Sequence, residues 1–143
     1  MTEQDIKKLF DEILSEGLQI FSMSMGIISH IKDDRYQIEA VKSHSNVFVA
    51  GECFPLQSTL CRDVIDSCQT IALTEIDGKP GLSNHPLYDG LSLEAYISTP
   101  IFKDGKPWGT LNFSSLKIKD TPFTADQIAL IEKWAKQISV ALS

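Results

Sequence analysis

The residues best suited to chemistry in this sequence are its three cysteines, Cys53, Cys61 and Cys68. A thiolate can act as a nucleophile, bind zinc or form a disulfide. The chain contains no Cys-x-x-Cys pair and no histidine close enough to complete a zinc site, so metal binding is not predicted. An odd number of cysteines without a secretion signal is typical of reduced thiols in the cytosol. No acid–base pair has a spacing that predicts catalysis.

A second group of functional side chains is predicted on two strands in the C-terminal third. Because side chains alternate along a strand, the polar residues of each strand share one face. The residues on this face are Trp108, Thr110, Asn112 and Ser114 of the last strand, and Tyr96, Ser98 and Pro100 of the strand before it. An enclosed face with a few hydroxyls and an amide is typical of a ligand pocket. The alternative is that these groups are hydrogen-bonded within the core or hydrated.

The predicted cover of this polar face is a long, turn-rich loop over 77–92. Loops of that length in compact domains usually serve function. We predict a pocket between the face and residues 77–95, lined by Phe54, Leu56, Thr59, His85, Tyr88, Tyr96, Ser98, Asn112 and Ser114. His85 could contact an anionic or aromatic ligand, but a His-Pro pair in a loop also serves as a turn or a cap.

Helices and short strands are the elements that must position these residues. The helical spacing of apolar residues predicts helices over 3–22, 59–69 and from 125 to the end. Two hairpins and one further strand are predicted, over 25–31 with 36–41, 96–102 with 106–114, and 70–74. The order predicts an α+β domain with a five- to six-stranded antiparallel sheet. The N- and C-terminal helices would lie on one face, and a helix plus loop would cover a pocket on the other.

The terminal helices also predict a dimer interface. Apolar residues follow one another at steps of three and four, which is the spacing of a coiled-coil seam. The predicted interface consists of Ile6, Leu9, Ile13, Ile128, Ile131, Ala135, Ile138 and Leu142. Two copies would then form a four-helix bundle through an isologous contact. The alternative is a single broad stripe that faces the core of one chain.

Composition limits the remaining function classes. The chain has 143 residues, 43% hydrophobic and 22% charged, and its 13 Lys and Arg are interleaved with 19 acidic residues. No nucleic-acid partner is therefore expected. We expect a cytoplasmic protein with no membrane partner, because there is no signal peptide and no apolar run of spanning length. The length predicts one domain over 1–143, and the helical pattern that still runs at Ser143 predicts a piece of a longer protein.

Five motifs together resemble the GAF domain family. They are Phe54-Pro55-Leu56-x-x-Thr59-Leu60-Cys61, His85-Pro86, Tyr96-Ile97-x-Thr99-Pro100-Ile101, Gly105-x-x-Trp108-Gly109-Thr110-Leu111-Asn112-Phe113-Ser114 and Pro122-Phe123-x-x-Asp126. The resemblance is good from Gly51 to Leu142 and implies a GAF (PAS/profilin-like) fold. It also implies a non-catalytic sensory or regulatory domain that binds a small molecule, forms a homodimer and signals to a linked effector domain such as a kinase or cyclase. Neither the ligand nor a cofactor is identified.

Particular ligands of GAF domains can be compared with particular residues. Bilin-binding members attach the chromophore through a cysteine in the loop before the Tyr96 strand, and here positions 83–85 are Ser, Asn and His. Cyclic-nucleotide members carry a dispersed Asn-Lys-x-Phe-Asp-Glu signature. Only Phe123 and Asp126 fit the end of that signature. The resemblance therefore leaves the ligand class open.

An enzymatic alternative comes from free methionine-R-sulfoxide reductases, which share the GAF fold and use three cysteines. Cys61 matches one of their positions, and Cys53 falls near another. The nucleophilic cysteine belongs in the 82–92 loop, which has none, so we expect no enzymatic activity. A purely structural dimerisation module is the other alternative.

Overall fold

A computed structural model gives the architecture of the chain and describes residues 2–43, 50–55, 65, 68–73, 95–115 and 122–142. The elements with described bounds are α1 (Glu3–Ile20), β1 (Met25–Lys32), β2 (Arg35–Ser43), β3 (Cys53–Pro55), β4 (Ile71–Leu73), β5 (Ala95–Lys103), β6 (Lys106–Ser115) and α2 (Ala125–Leu142). The described helices include none that is both long and apolar enough to cross a membrane.

Helix α1 begins and ends at local signals in the sequence. The Thr2 hydroxyl accepts a hydrogen bond from the Asp5 backbone N–H, and the Asp5 carboxylate accepts one from the Thr2 N–H. This reciprocal pair is a capping box, which satisfies two backbone N–H groups at the start of the helix. The helix ends at Ile20, two residues before the predicted end, because Ser22 takes a left-handed conformation with φ of 54°.

The six described strands form one antiparallel sheet in the order β3-β2-β1-β6-β5-β4. Both predicted hairpins are confirmed. The β1–β2 turn has positive φ at Asp33 and Asp34, and the β5–β6 turn has positive φ at Asp104 and Gly105. Two successive positive φ values give the backbone twist that two-residue hairpins require. Strand β3 was not predicted, because it has only three residues and pairs only with β2.

Both helices pack side by side against one face of the sheet, as predicted. The Phe113 ring lies at the centre of this layer, with the Phe21 ring centroid 5.3 Å away and that of Trp134 6.2 Å away. Gly17 lets α1 approach this ring, because a Cβ at residue 17 would lie 2.0 Å from Phe113 Cζ. The helix-bearing face is therefore the main apolar core.

The opposite face of the sheet carries no described helix, and we call it the helix-free face. Its predicted cover, a helix over 59–69 and the loop over 77–92, lies outside the described residues apart from Ile65, Cys68 and Gln69. The predicted strand over 70–74 is present as β4, from Ile71 to Leu73.

Candidate ligand site

Four of the predicted pocket residues form a compact block on the helix-free face. In the ladder between β5 and β6, Tyr96 lies opposite Ser114 and Ser98 lies opposite Asn112. All four side chains are buried, with Ser98 fully so and Asn112 only 4% exposed. Strand alternation therefore brought together the polar groups that the sequence assigned to one face.

Two hydroxyls of this block are buried without compensation. Neither Ser98 Oγ nor Ser114 Oγ has a hydrogen-bond partner among the described residues. Leaving a buried polar group unsatisfied costs about 1–3 kcal/mol, so such groups are rare in native proteins and need an explanation. Ser98 lies opposite Asn112, and Ser114 lies two residues after Asn112 on the same face, so unused hydrogen-bonding capacity is concentrated in one part of the face.

The amide of Asn112 connects the block to the other half of the sheet. Its Nδ2 donates to the Tyr36 hydroxyl over 3.4 Å, and both side chains are buried. Tyr36 was not predicted as a site residue, although its alternation with Ile38 on β2 indicates a face shared with the pocket. Tyr36 therefore extends the site across β1 and β6 to β2.

At one end of the helix-free face, the side chains of Ser29 and Thr110 are hydrogen-bonded to each other. Ser29 Oγ and Thr110 Oγ1 are 2.7 Å apart, and the Thr110 backbone N–H donates to Ser29 Oγ over 3.3 Å. Gly109 permits this close approach of β1 and β6, because a Cβ there would lie 1.8 Å from the Ser29 carbonyl oxygen. Thr110 is consequently a structural residue, in contrast to Ser98 and Ser114.

The described part of the site is electrically neutral. The buried polar side chains of the described chain are all serine, threonine or asparagine, and none is charged. The same part of the chain contains no cluster of His, Cys, Asp and Glu able to hold a metal ion. Around the polar block lie the apolar side chains of Met25, Ile27 and Ile38, so the face can meet uncharged hydrogen-bonding groups and apolar surface.

At the rim of the sheet, Trp108 belongs to a stacked pair. Its ring lies 4.4 Å from the His30 ring, with an interplanar angle of 9°. Partial burial lowers the pKa of His30, and the Glu39 carboxylate, 3.9 Å away, opposes that shift. Trp108 packs against the core of the helix-bearing face, because the bulge between Ile101 and Phe102 interrupts the alternation that predicted it on the helix-free face.

The remaining predicted pocket residues are placed as follows. Phe54 lies on β3, opposite Tyr36, which puts its backbone beside the extended site. Leu56, Thr59, His85 and Tyr88 lie outside the described residues.

The two described thiols lie at opposite ends of the sheet. Cys53 is on edge strand β3, Cys68 lies three residues before the start of edge strand β4, and both are exposed. Five strand-to-strand steps separate the edges, on the order of 20 Å and far beyond disulfide reach. These two residues therefore cannot form an intramolecular redox pair, and Cys61 lies outside the described residues.

The predicted dimer residues divide into two groups. Ile13, Ile131, Ala135 and Ile138 are buried in the core of a single chain, as an amphipathic helix buries its inner stripe. Ile6, Leu9, Ile128 and Leu142 are half-buried and pack at the edge of that core. Of the predicted dimer residues, the second group is the one with apolar surface to offer a partner, and the exposed Ile20 and Val140 lie on the same two helices.

Comparison with known proteins agrees with this architecture. A family model described as a GAF domain matches residues 3–143. No curated protein matches the sequence.

Three solved structures illustrate the likeness. The blue-light-absorbing form of the PixJ GAF domain of Thermosynechococcus elongatus is 17% identical with a TM-score of 0.79, over 97% of this chain and 85% of that one. The GAF domain region of a Geobacter sulfurreducens PCA protein is 18% identical with a TM-score of 0.76, over 97% and 93%. The type II free methionine-R-sulfoxide reductase of Thermoplasma acidophilum is 14% identical with a TM-score of 0.69, over 94% and 92%. At such identities these likenesses establish the fold.

Proposed function

The chain belongs to the GAF domain family, and from that premise we propose that it is a non-catalytic sensory domain that binds a small molecule on the helix-free face of its sheet. The observation that carries the proposal is that the buried hydroxyls of Ser98 and Ser114 have no hydrogen-bond partner among the described residues. A ligand that hydrogen-bonds to them would remove the cost of their burial. This gain exists only in the bound state, so it contributes to the affinity for the ligand.

The chemistry of the face defines the class of ligand. Hydroxyls and an amide both donate and accept, whereas the buried part of the described face offers no charged partner. The part of the ligand that contacts β5 and β6 is therefore uncharged, carries hydrogen-bonding groups and presents apolar or aromatic surface to Tyr36 and Tyr96. Binding is noncovalent, because the loop over 82–92 contains no cysteine.

A sensory role is supported by the kind of proteins that share this architecture. The T. elongatus PixJ domain is named for its blue-light-absorbing form, and its match covers nearly the whole of this chain. In this proposal the chain acts in the cytoplasm as a homodimer joined through its terminal helices, and it signals to a linked effector domain. The half-buried group of Ile6, Leu9, Ile128 and Leu142 would form the contact.

The alternative enzymatic function is reduction of free methionine sulfoxide, because one structural neighbour is such a reductase. That reaction needs a nucleophilic thiol and a second thiol that resolves it as a disulfide. Cys53 and Cys68 lie too far apart to cooperate, and residues 82–92 contain no cysteine. We expect no thioredoxin-dependent loss of free methionine-R-sulfoxide. Turnover that disappears in Cys61→Ser would establish the reductase instead.

A thermal-shift screen of nucleotides, amino acids and uncharged aromatic metabolites tests the binding proposal. A compound at a hundred times its Kd should stabilise the fold by about 2.7 kcal/mol. The shift should be lost in the double variant Ser98→Ala, Ser114→Ala. It should persist in Ser115→Ala, a matched control at the next residue on the helix-bearing face. Equal shifts in both variants would place the compound elsewhere and reject this site.

A further inference from the structure

A cavity of about 420 Å³ lies on the helix-bearing side of the sheet, beside β4 and under α2. Its lining includes Cys68, Thr70, Thr99, Phe102, Glu132 and Lys136. We call it the α2–β5 cavity. Its volume falls within the range of small-molecule sites. Thr99, which lines it, and Ser98 are adjacent residues of β5 that point to opposite sides of the sheet, and neither Ser98 nor Ser114 lines the cavity.

The cavity exists because β4 is shorter than β5. The described pairing of these strands runs from Leu73 opposite Tyr96 to Ile71 opposite Ser98. Beyond Ser98, the edge of β5 faces the opening instead of a described strand. Ala135 of α2 also lines the cavity, and its small side chain leaves room there.

A directed chain of hydrogen bonds forms one wall. The Thr70 hydroxyl donates to Glu132 Oε2 over 2.6 Å. A hydroxyl has one proton, so in the 2.8 Å contact between Thr70 Oγ1 and Thr99 Oγ1 it is Thr99 that donates. Two donors in series hold the Glu132 carboxylate at the cavity and leave Oε1 available to a further donor.

The other charged group of the cavity is Lys136, one helical turn after Glu132. Residues four apart on a helix are neighbours, about 5–6 Å between Cβ atoms. No ion pair joins Glu132 and Lys136, and Lys136 has none with any other described residue. The cavity thus presents an anion and a cation side by side, with Pro100, Phe102 and Ala135 as apolar wall.

We propose that the α2–β5 cavity is a second binding site, for a small zwitterion with an apolar side chain, such as a free aromatic α-amino acid. Lys136 binds the carboxylate, Glu132 binds the ammonium group, and the side chain lies against Phe102. Both charges of the protein are solvent-exposed, so each ion pair contributes little and both are needed. The site does not depend on ligand binding at Ser98 and Ser114.

Cys68 provides a direct readout, because its exposed thiol lines the cavity. Its alkylation by iodoacetamide is followed by mass spectrometry of the peptides, with and without L-phenylalanine. At ~10 mM, a site with a Kd of about 1 mM is roughly 90% occupied and alkylation slows about tenfold. Cys53 is the internal control, because it lies at the other edge of the sheet and its rate should not change.

Two comparisons decide the outcome. We expect 3-phenylpropanoate and 2-phenylethylamine, which each keep one charge of phenylalanine, to give little protection. Lys136→Ala should abolish protection by phenylalanine, whereas Lys133→Ala, an exposed neighbour that does not line the cavity, should retain it. The proposal is overturned if phenylalanine leaves the Cys68 rate unchanged, if the single-charge analogues protect equally, or if both lysine variants behave alike.

Discussion

Serine hydroxyls on one face of the sheet differ in whether their burial is compensated. Ser29 Oγ lies 2.7 Å from the Thr110 hydroxyl, whereas Ser98 Oγ and Ser114 Oγ have no partner among the described residues. All three side chains are almost completely inaccessible to solvent. The same residue type therefore stabilises the sheet at one position and carries a cost at the other two.

This contrast predicts opposite effects of the same substitution. Ser29→Ala removes one hydrogen-bond partner of the Thr110 hydroxyl and of its backbone N–H, and we expect the free energy of unfolding to fall by about 1–2 kcal/mol. Ser98→Ala removes an oxygen that forms no hydrogen bond with any described residue, so the stability of the ligand-free protein should stay the same or rise. Urea denaturation measures both. If Ser98→Ala lowers the free energy of unfolding as much as Ser29→Ala does, the Ser98 hydroxyl has a hydrogen-bond partner in the ligand-free protein. The argument for a ligand would then fail.

At this scale the sequence predicted which side chains share a face, but not their hydrogen bonds. Period-two alternation placed Ser98, Asn112 and Ser114 together, and the structure agrees. The partners of Asn112 and Glu132 come from residues 76 and 62 positions away. Sequence spacing along one element carries no signal for such contacts, so Tyr36 and the Thr70–Glu132 bond were not foreseen.

Among the elements, the position of α1 is fixed by the missing side chain of Gly17. The Phe113 ring fills the space where a Cβ would be, with ring atoms 2.0 to 2.7 Å from that point. By helix propensity alone, glycine at this position only weakens the helix. The structure shows that Gly17 is also the point at which α1 contacts the Phe113 ring at the centre of the sheet.

The substitution Gly17→Ala should therefore destabilise the fold, although alanine favours a helix by about 1 kcal/mol over glycine. Overpacking of a core contact costs about 1–3 kcal/mol, and the backbone of α1 would have to move away from β6. The free energy of unfolding is the measurement, with Phe113→Leu as the second arm of a double-mutant cycle. Additive effects of the two substitutions would mean that residues 17 and 113 are not in contact.

Elements with a strong local signal were predicted well. Hairpin turns with Asp-Asp and Asp-Gly, and helices with capping residues and regular apolar spacing, have their signals within a few residues. Strand β3 lacks such a signal, because three residues ending in proline become a strand only through the edge of β2. The ligand pocket remains a prediction, since four of its nine residues lie outside the described chain.

For the whole molecule, the terminal helices carry two apolar surfaces formed by different residues. Their inner stripe forms the core of one chain, while Val140 is 68% exposed and Leu9 and Ile128 are half-buried at the edge. A four-helix bundle between two copies would cover this second surface. The dimer prediction is therefore tested at the half-buried positions rather than in the core.

Leu9→Glu should give a folded monomer, because it places a charge in the proposed contact while the inner stripe of α1 stays intact. Ile131→Asp should unfold the chain, since that side chain is fully buried within one copy. Light scattering and circular dichroism distinguish the two results, and Lys8→Glu is the exposed control on α1. A parent protein that is monomeric at about 50 µM, or a Leu9→Glu variant that stays dimeric, would exclude this interface.

The most direct test of the central claim is native mass spectrometry of protein purified from cells, because it detects a bound compound of any identity. We predict a population whose mass exceeds that of the chain by one small molecule, released as an uncharged or weakly charged compound on denaturation. The added mass should disappear in the Ser98→Ala, Ser114→Ala variant and persist in Ser115→Ala. If the parent carries only the mass of the chain, or if the double variant retains the same compound, the helix-free face is not a ligand site.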